Sequence, residues 1–237
     1  MAKIDFEFVD EKANKETVTI PEFEFDKTMI KQNLDNFFAN KGLTSLMLDS
    51  GDRLVLKTAQ GMINCIVAGG AVLALYMGEY TKIKDWDLYF PSEEELGRAK
   101  ENFKRIGFKE GYKTDWATNM FQEGYGGRKV VVQLVSQRYP KNIQDTFEKF
   151  DFSVCCMAIQ GQDLYYWKQA EEDVKKKELN FNYTDQIHYC IMRIARYGEK
   201  GFKPTKDFTI SFANVLSGMP KQKIKKSVKS ASGSNPS

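Results

Sequence analysis

Histidine is nearly absent from the chain, which has one in 237 residues, His188. Its four cysteines, Cys65, Cys155, Cys156 and Cys190, show no Cys-x-x-Cys pair and no Cys/His ligand spacing. A zinc site assembled from such pairs is therefore excluded, and buried free thiols in a reducing compartment are the plain reading. No apolar run approaches the roughly 18 residues that a membrane helix needs. The first residues, Met1-Ala2-Lys3-Ile4-Asp5-Phe6-Glu7, carry no signal-type apolar core. The expectation is a cytoplasmic protein with no membrane partner.

Acidic residues are absent from the last 19 positions, where five lysines stand (Lys221, Lys223, Lys225, Lys226 and Lys229). Without them the body carries 30 basic against 32 acidic residues, so the formal charge of +3 belongs to the tail. Such a tail either attracts an anionic partner weakly or is a solvated end, and net charge says little about nucleic acid binding. What is abundant is core material: 42% of the residues are hydrophobic and 13% aromatic. That suffices for one substantial domain with a small helical addition.

Along the chain, residues 1–62 read as an N-terminal hairpin and helices. The alternating Ile4, Phe6 and Phe8, then Val18, Ile20, Phe23 and Phe25, suggest short strands, followed by helices over about Asp26 to Asn40 and Asp52 to Met62. Residues 63–167 form a core unit. In it Ile63 to Ala68 is a buried strand, Gly69-Gly70 a tight turn, and Ala71 to Met77 a helix apolar on every side. Asp85-Trp86-Asp87-Leu88-Tyr89-Phe90 reads as a strand with Asp85 and Asp87 on one face and Trp86, Leu88 and Phe90 on the other. Trp86 and Tyr89 read as core. Ser92-Glu93-Glu94-Glu95 has the capping-box form and opens an amphipathic helix that ends at Gly107.

A meander or loop follows over 108–128, then a strand over Val130 to Val135 and a short helix from Lys141 to Phe150. Phe152 to Ile159 and Leu164 to Trp167 suggest a hairpin around Gly161, with Cys155 and Cys156 pointing to opposite faces of a strand. Residues 168–218 form a helical region, and 219–237 a disordered basic tail.

The chemistry concentrates in one constellation. Two aspartates on one strand face can share divalent cations, which bridge the attacking and leaving oxygens in phosphoryl transfer. The glycines Gly69 and Gly70 let backbone amides approach phosphates where side chains would collide. Between Gly70 and Asp85 the chain has room for a helix and a return into the next strand.

Val67-Ala68-Gly69-Gly70, followed by Asp85-Trp86-Asp87-Leu88, resembles the Gly-Gly…Asp-x-Asp signature of the DNA polymerase β-like nucleotidyltransferase superfamily. Phe150-Asp151-Phe152-Ser153-Val154-Cys155-Cys156-Met157-Ala158-Ile159 is similar to the Asp-Phe-Thr-Ile-Asn-Ala-Met-Ala segment of the CCA-adding enzymes. The resemblance implies an α/β (α+β) fold, a nucleotidyltransferase-type mixed sheet flanked by helices. It also implies an NTP held at Gly69 and Gly70, Mg²⁺ on Asp85 and Asp87, and transfer of a nucleotide to an acceptor.

The superfamily's third carboxylate has no match on the later strand, where Gln133 stands. An amide ligates a metal through its oxygen but brings no charge and is a poor base. Asp151 is a supporting candidate that approaches from the next strand.

On a helix over Thr184 to Lys200, Ile187, Cys190, Ile191 and Ile194 share one face, with Arg193, Arg196 and Lys200 nearly opposite. This segment resembles the arginine-bearing helix that follows the head of tRNA nucleotidyltransferase-like proteins. The stripe could meet NTP phosphates or an RNA backbone, or be a solvated face. His188 lies off both faces and reads as a boundary residue. Two functions follow: Mg²⁺-dependent transfer of a nucleoside monophosphate from an NTP to an acceptor such as RNA or tRNA, or a catalytically silent module of the same fold that binds RNA, nucleotide or a protein.

Overall fold

The run from Lys129 to Val135 carries the alternation on which the fold is organised: Val130, Val132 and Leu134 are buried, while Val131 and Gln133 are half-buried. A computed structural model describes residues 25–41, 48–61, 64–124, 127–184 and 187–217. The expected hairpin over 1–27 lies almost wholly outside the described residues, and the expected tail over 219–237 entirely so.

The elements in chain order are β1 (Met29–Asn33), α1 (Leu34–Asn40), α2 (Ser50–Gln60), β2 (Ile66–Ala68), α3 (Gly70–Tyr76), β3 (Trp86–Tyr89), α4 (Glu93–Arg105), β4 (Lys109–Lys113), β5 (Ala117–Glu123), β6 (Lys129–Val135) and α5 (Ile143–Phe147). They continue with β7 (Met157–Gln160), β8 (Asp163–Trp167), α6 (Lys168–Lys176), β9 (Glu178–Leu179), α7 (Ile187–Glu199), β10 (Lys203–Pro204) and α8 (Lys206–Ser217). Eight strands form one sheet in the order β1-β8-β7-β2-β3-β6-β5-β4, and β10 pairs with β9 apart from it. Within the large sheet β3 and β6 run parallel and the other neighbours antiparallel. The class is thus the mixed α/β expected, with a small helical region after the sheet.

Alternation assigns the two faces of the central strands. Trp86 and Leu88 lie opposite Val132 and Leu134 in register, and all four are buried. Helices α2 and α4 pack against β6, and the Asp52 carboxylate of α2 accepts the Trp86 indole N–H at 2.8 Å. Asp85 and Asp87 are thereby left to the opposite face. The expected cap of α4 is present, with Ser92 Oγ accepting the Glu95 N–H at 3.3 Å.

Three readings need correction. The segment Asp26 to Asn40 is not one helix: β1 pairs antiparallel with β8, and α1 begins only where the Asn33 side chain accepts the Asn36 N–H. Met29 and Ile30 suit a strand as well as a helix, and the open edge of β8 decided between them. Cys155 and Cys156 are not on a strand but at a 3₁₀ turn over Ser153–Cys155, just before β7. Ile191, assigned to the packing face of α7, is 49% exposed, whereas Cys190 and Tyr197 are buried there.

Candidate active site at the Asp85–Asp87 strand

The turn into α3 places backbone beside a carboxylate. Gly69 adopts φ +82°, a conformation side chains rarely take, and a Cβ there would lie 3.4 Å from Asp87 Oδ2. Its N–H donates to the Met157 carbonyl at 3.3 Å, so the Gly69 amide is committed to the sheet. Gly70 opens α3, at a first turn whose amides have no intrahelical acceptor. The register sets Ala68 opposite Asp87, so the turn lies at the Asp85 end of β3.

Asp87 faces Gln133 across the parallel β3–β6 pair, and Gln133 in turn faces Asn119 on β5. Gln133 Nε2 donates to Asp85 Oδ2 at 3.0 Å, so the amide standing where a third carboxylate was sought does reach the pair. Burial pushes the Asp87 carboxyl up to about 7, and the Asp85 charge adds to the shift while Arg193 opposes it. Asp85 is likewise raised by burial, against the pull of Arg196, Lys200 and Lys84. A cation bound between the two half-buried carboxylates would lower both.

Helix α7 supplies positive charge from above. Arg193, Arg196 and Lys200, one stripe on the sequence, all act on the aspartate pair. Arg193 Nη1 donates to Asp151 Oδ2 in an ion pair in which the Asp151 side chain is 6% exposed. Asp151 therefore holds an arginine near Asp87. Tyr197, on the buried side of the helix, places its hydroxyl 2.9 Å from Cys155 Sγ and its ring edge-on to Phe152. These contacts fix the rotation of α7 and so the direction of its stripe.

Sequence reasoning missed two cations. Lys84 adjoins Asp85 and was legible from position alone. Arg138, which stands over the Tyr89 and Phe150 rings, carried no motif. The base of the strand is also tied: Arg128 Nη1 lies 2.8 Å from Asp52 Oδ2, and its Nη2 donates to the Ile83 carbonyl at 2.7 Å.

As a place for Mg²⁺, Asp85 and Asp87 offer hard carboxylate oxygens, while Gln133, expected as a ligand through its oxygen, turns its amide N–H toward Asp85. Among the described residues no group of three or more His, Cys, Asp and Glu side chains is set to hold a metal ion. Magnesium needs no such group, because it commonly takes one or two carboxylates and completes its shell with water and substrate phosphates. The buried Asn119 Oδ1, on the same register row, has no hydrogen-bond partner. The residues fit a cation that arrives with a nucleotide better than a resident one.

Comparison with known proteins gives a family and a fold. A family model described as "Gad2: Gabija anti-defense 2 family protein" matches residues 23–177. No curated protein matches the chain. Among solved structures, a CCA-adding enzyme in its apo form I aligns with TM-score 0.58 and 15% identity over 79% of this chain and 46% of that one. A complex of CCA-adding enzyme with CTP gives 0.56 and 16% over 79% and 47%. The Thermotoga maritima CCA-adding enzyme complexed with tRNA gives 0.52 and 18% over 75% and 43%. At these identities the likeness establishes a nucleotidyltransferase-like fold, and the chain spans less than half the length of these structures.

Proposed function

The chain belongs to the Gabija anti-defense 2 family, and from that premise we propose that it counters the Gabija defence by nucleotidyl transfer from an NTP to an acceptor hydroxyl. The observation that carries this reading is the aspartate pair itself. Asp85 and Asp87 share a face beside a glycine turn, with raised carboxyl groups and with Arg193 and Arg196 of α7, and Lys200 just after it, acting on them.

In this reading Asp85 and Asp87 hold Mg²⁺ brought by the nucleotide, and the Gln133 amide N–H steadies Asp85. The bound metal would polarise the α-phosphate and neutralise charge on the leaving group. Gly69 gives the turn its conformation, and the Gly70 amide meets the triphosphate. Lys84, Arg196 and Lys200 neutralise the phosphates, and Asp151 keeps Arg193 extended toward the Asp87 end. The acceptor oxygen bonds to the α-phosphorus, the bond to the β-phosphate breaks, and pyrophosphate leaves. Gln133 cannot take the acceptor proton, which passes to water. The tRNA and CTP complexes of the structural neighbours support an RNA acceptor and an NTP donor.

The test is incorporation of labelled nucleotide from each of the four NTPs with Mg²⁺, alongside the protein's effect on cells with an active Gabija defence. Asp85→Asn is expected to abolish both while leaving the melting temperature within a few degrees. Equal incorporation by the variant would sink the mechanism. Gln133 favours a second reading, a silent module that binds nucleotide or a partner. That reading expects the anti-defence effect to survive Asp85→Asn.

A further inference from the structure

Behind β3, on the face away from the aspartate pair, one carboxylate is buried almost completely: Asp52, in the first turn of α2, is 1% exposed. Its Oδ1 accepts the Trp86 indole N–H at 2.8 Å, and its Oδ2 pairs with Arg128 Nη1 at 2.8 Å. The other arm of the same guanidinium, Nη2, donates to the Ile83 carbonyl at 2.7 Å. One carboxylate thus holds both ends of the stretch from Ile83 to Trp86, directly at Trp86 and through Arg128 at Ile83. Lys84 and Asp85 lie between those two points.

Sheet pairing does not reach Asp85. A 3₁₀ turn ends at Lys82, and the registers of β3 begin at Trp86 toward β6 and at Asp87 toward β2. Asp85 therefore stands ahead of the ladder, whereas Asp87 is inside it. The brace behind them is closely fitted. A Cβ on Gly51 would lie 2.5 Å from Val130 Cγ2, and one on Gly124 would lie 2.6 Å from Asp49 Oδ1, so these glycines let α2 close on the β5–β6 connection where Arg128 stands.

Stability alone does not account for the brace. Burial raises the Asp52 carboxyl against the pull of the Trp86 N–H and of Arg128. A buried ion pair is commonly no more stabilising than apolar side chains of the same volume. What it supplies, and apolar packing cannot, is direction: two acceptor oxygens and a forked donor at fixed places.

We propose that Asp52 and Arg128 are positioning residues, which from the back of the sheet set the place of Asp85 relative to Asp87 and so the spacing of the oxygens that receive Mg²⁺ with the nucleotide. The inference rests on the nucleotidyl-transfer reading for what the aspartates bind. Mg²⁺ requires near-ideal octahedral geometry, so a small displacement of one ligand is felt as lost affinity.

The experiment compares the full wild-type chain with Arg128→Lys and with the neutral double variant Asp52→Asn, Arg128→Met. The double variant keeps an oxygen for the Trp86 N–H and leaves no charge unpaired, so a cooperative melt close to that of the wild type is expected. Hydrogen exchange is followed over residues 83–87. Calorimetry measures binding of MgATP, MgGTP, MgCTP and MgUTP, and of the same nucleotides in chelator. Both variants are expected to exchange faster over 83–87 and to bind Mg-nucleotide about tenfold more weakly, with metal-free nucleotide bound as by the wild type. Wild-type exchange in both variants overturns the inference. Faster exchange with undiminished Mg-nucleotide binding also overturns it, since the brace would then be structural only. An equal loss of metal-free nucleotide does so too, because the damage would lie at the phosphates rather than at the cation. Should the double variant not fold, Arg128→Lys decides by the same readouts. A wild-type chain that binds none of the four Mg-nucleotides overturns the nucleotidyltransferase reading, and the positioning role with it, whatever the variants do.

Discussion

Asp87 is the residue whose environment is most sharply defined. Its carboxyl is held up to about 7 where an exposed aspartate titrates near 3.8. Between those values the folded protein binds a proton that the unfolded chain has released, so stability without metal falls as pH rises from about 4 to 7. Asp87→Asn removes the penalty. The variant is expected to melt higher than the wild type at pH 8 in chelator, with the difference shrinking on acidification toward pH 5. Mg²⁺ with NTP should raise the wild-type midpoint at pH 8 and leave the variant's in place. A melting-temperature gap that is flat with pH would contradict the assignment. The pair was legible in the sequence because period-2 alternation puts positions 85 and 87 on one face of any strand. Gln133 was legible as a substitution for an expected acid, but its bond to Asp85 was not, since it depends on the register between β3 and β6.

At the scale of elements, α7 matters because its rotation aims Arg193, Arg196 and Lys200, and the turn that meets its Tyr197 and the helix that follows it are tied together by buried polar contacts. Asp173 on α6 is fully buried, and Ser153 Oγ donates to its Oδ2. Gln169 and Asn180 donate to its Oδ1 at 2.7 and 2.9 Å. Asn180 Oδ1 accepts from Thr205 Oγ1 at 2.6 Å, and Thr205 caps α8 by accepting the Phe208 N–H. The network joins α6, the turn before β7, the chain after β9 and the start of α8. Asp173→Ala would strand three donors, two of them buried and one half-buried, and the expected cost is about 3 kcal/mol, read as a lowered urea midpoint with an unchanged slope. A loss below about 1 kcal/mol would mean that water replaces the carboxylate. No sequence pattern announced this network, because its members come from segments far apart in the chain. β1 teaches the same lesson: Met29 to Asn33 fits either period, and an unpaired neighbour strand settled it.

For the whole molecule, the sheet and the helical region share one core. Phe152 and Phe181 meet Tyr197, Phe208 and Phe212 of α7 and α8 ring to ring, and Tyr197 and Phe202 pack on each other. The family match ends at residue 177, before these helices, yet Cys190, Tyr197, Phe202 and Phe208 are buried in the same cluster as the strands. A chain cut after residue 184 would uncover several aromatic side chains worth about 2 kcal/mol each. Their sum approaches the total stability of an ordinary domain. The truncated chain is expected to lose its cooperative thermal transition and to bind a hydrophobic dye; a midpoint equal to that of the full chain would show the sheet to be self-sufficient.

The sequence by itself determined the order of the core elements, the faces of β3, the glycine turn and the absence of a third acid, because each follows from local periodicity or from one residue's chemistry. Tertiary structure alone decided that the stripe of α7 turns toward the aspartates, that Asp151 serves Arg193, and that Arg138 lies on Tyr89 and Phe150. Those outcomes depend on strand register and on which buried rings and polar groups find partners across the fold, and neither quantity has a local signature. The slight positive balance of the chain proved uninformative for the same reason: what acts on the site is where its cations are held.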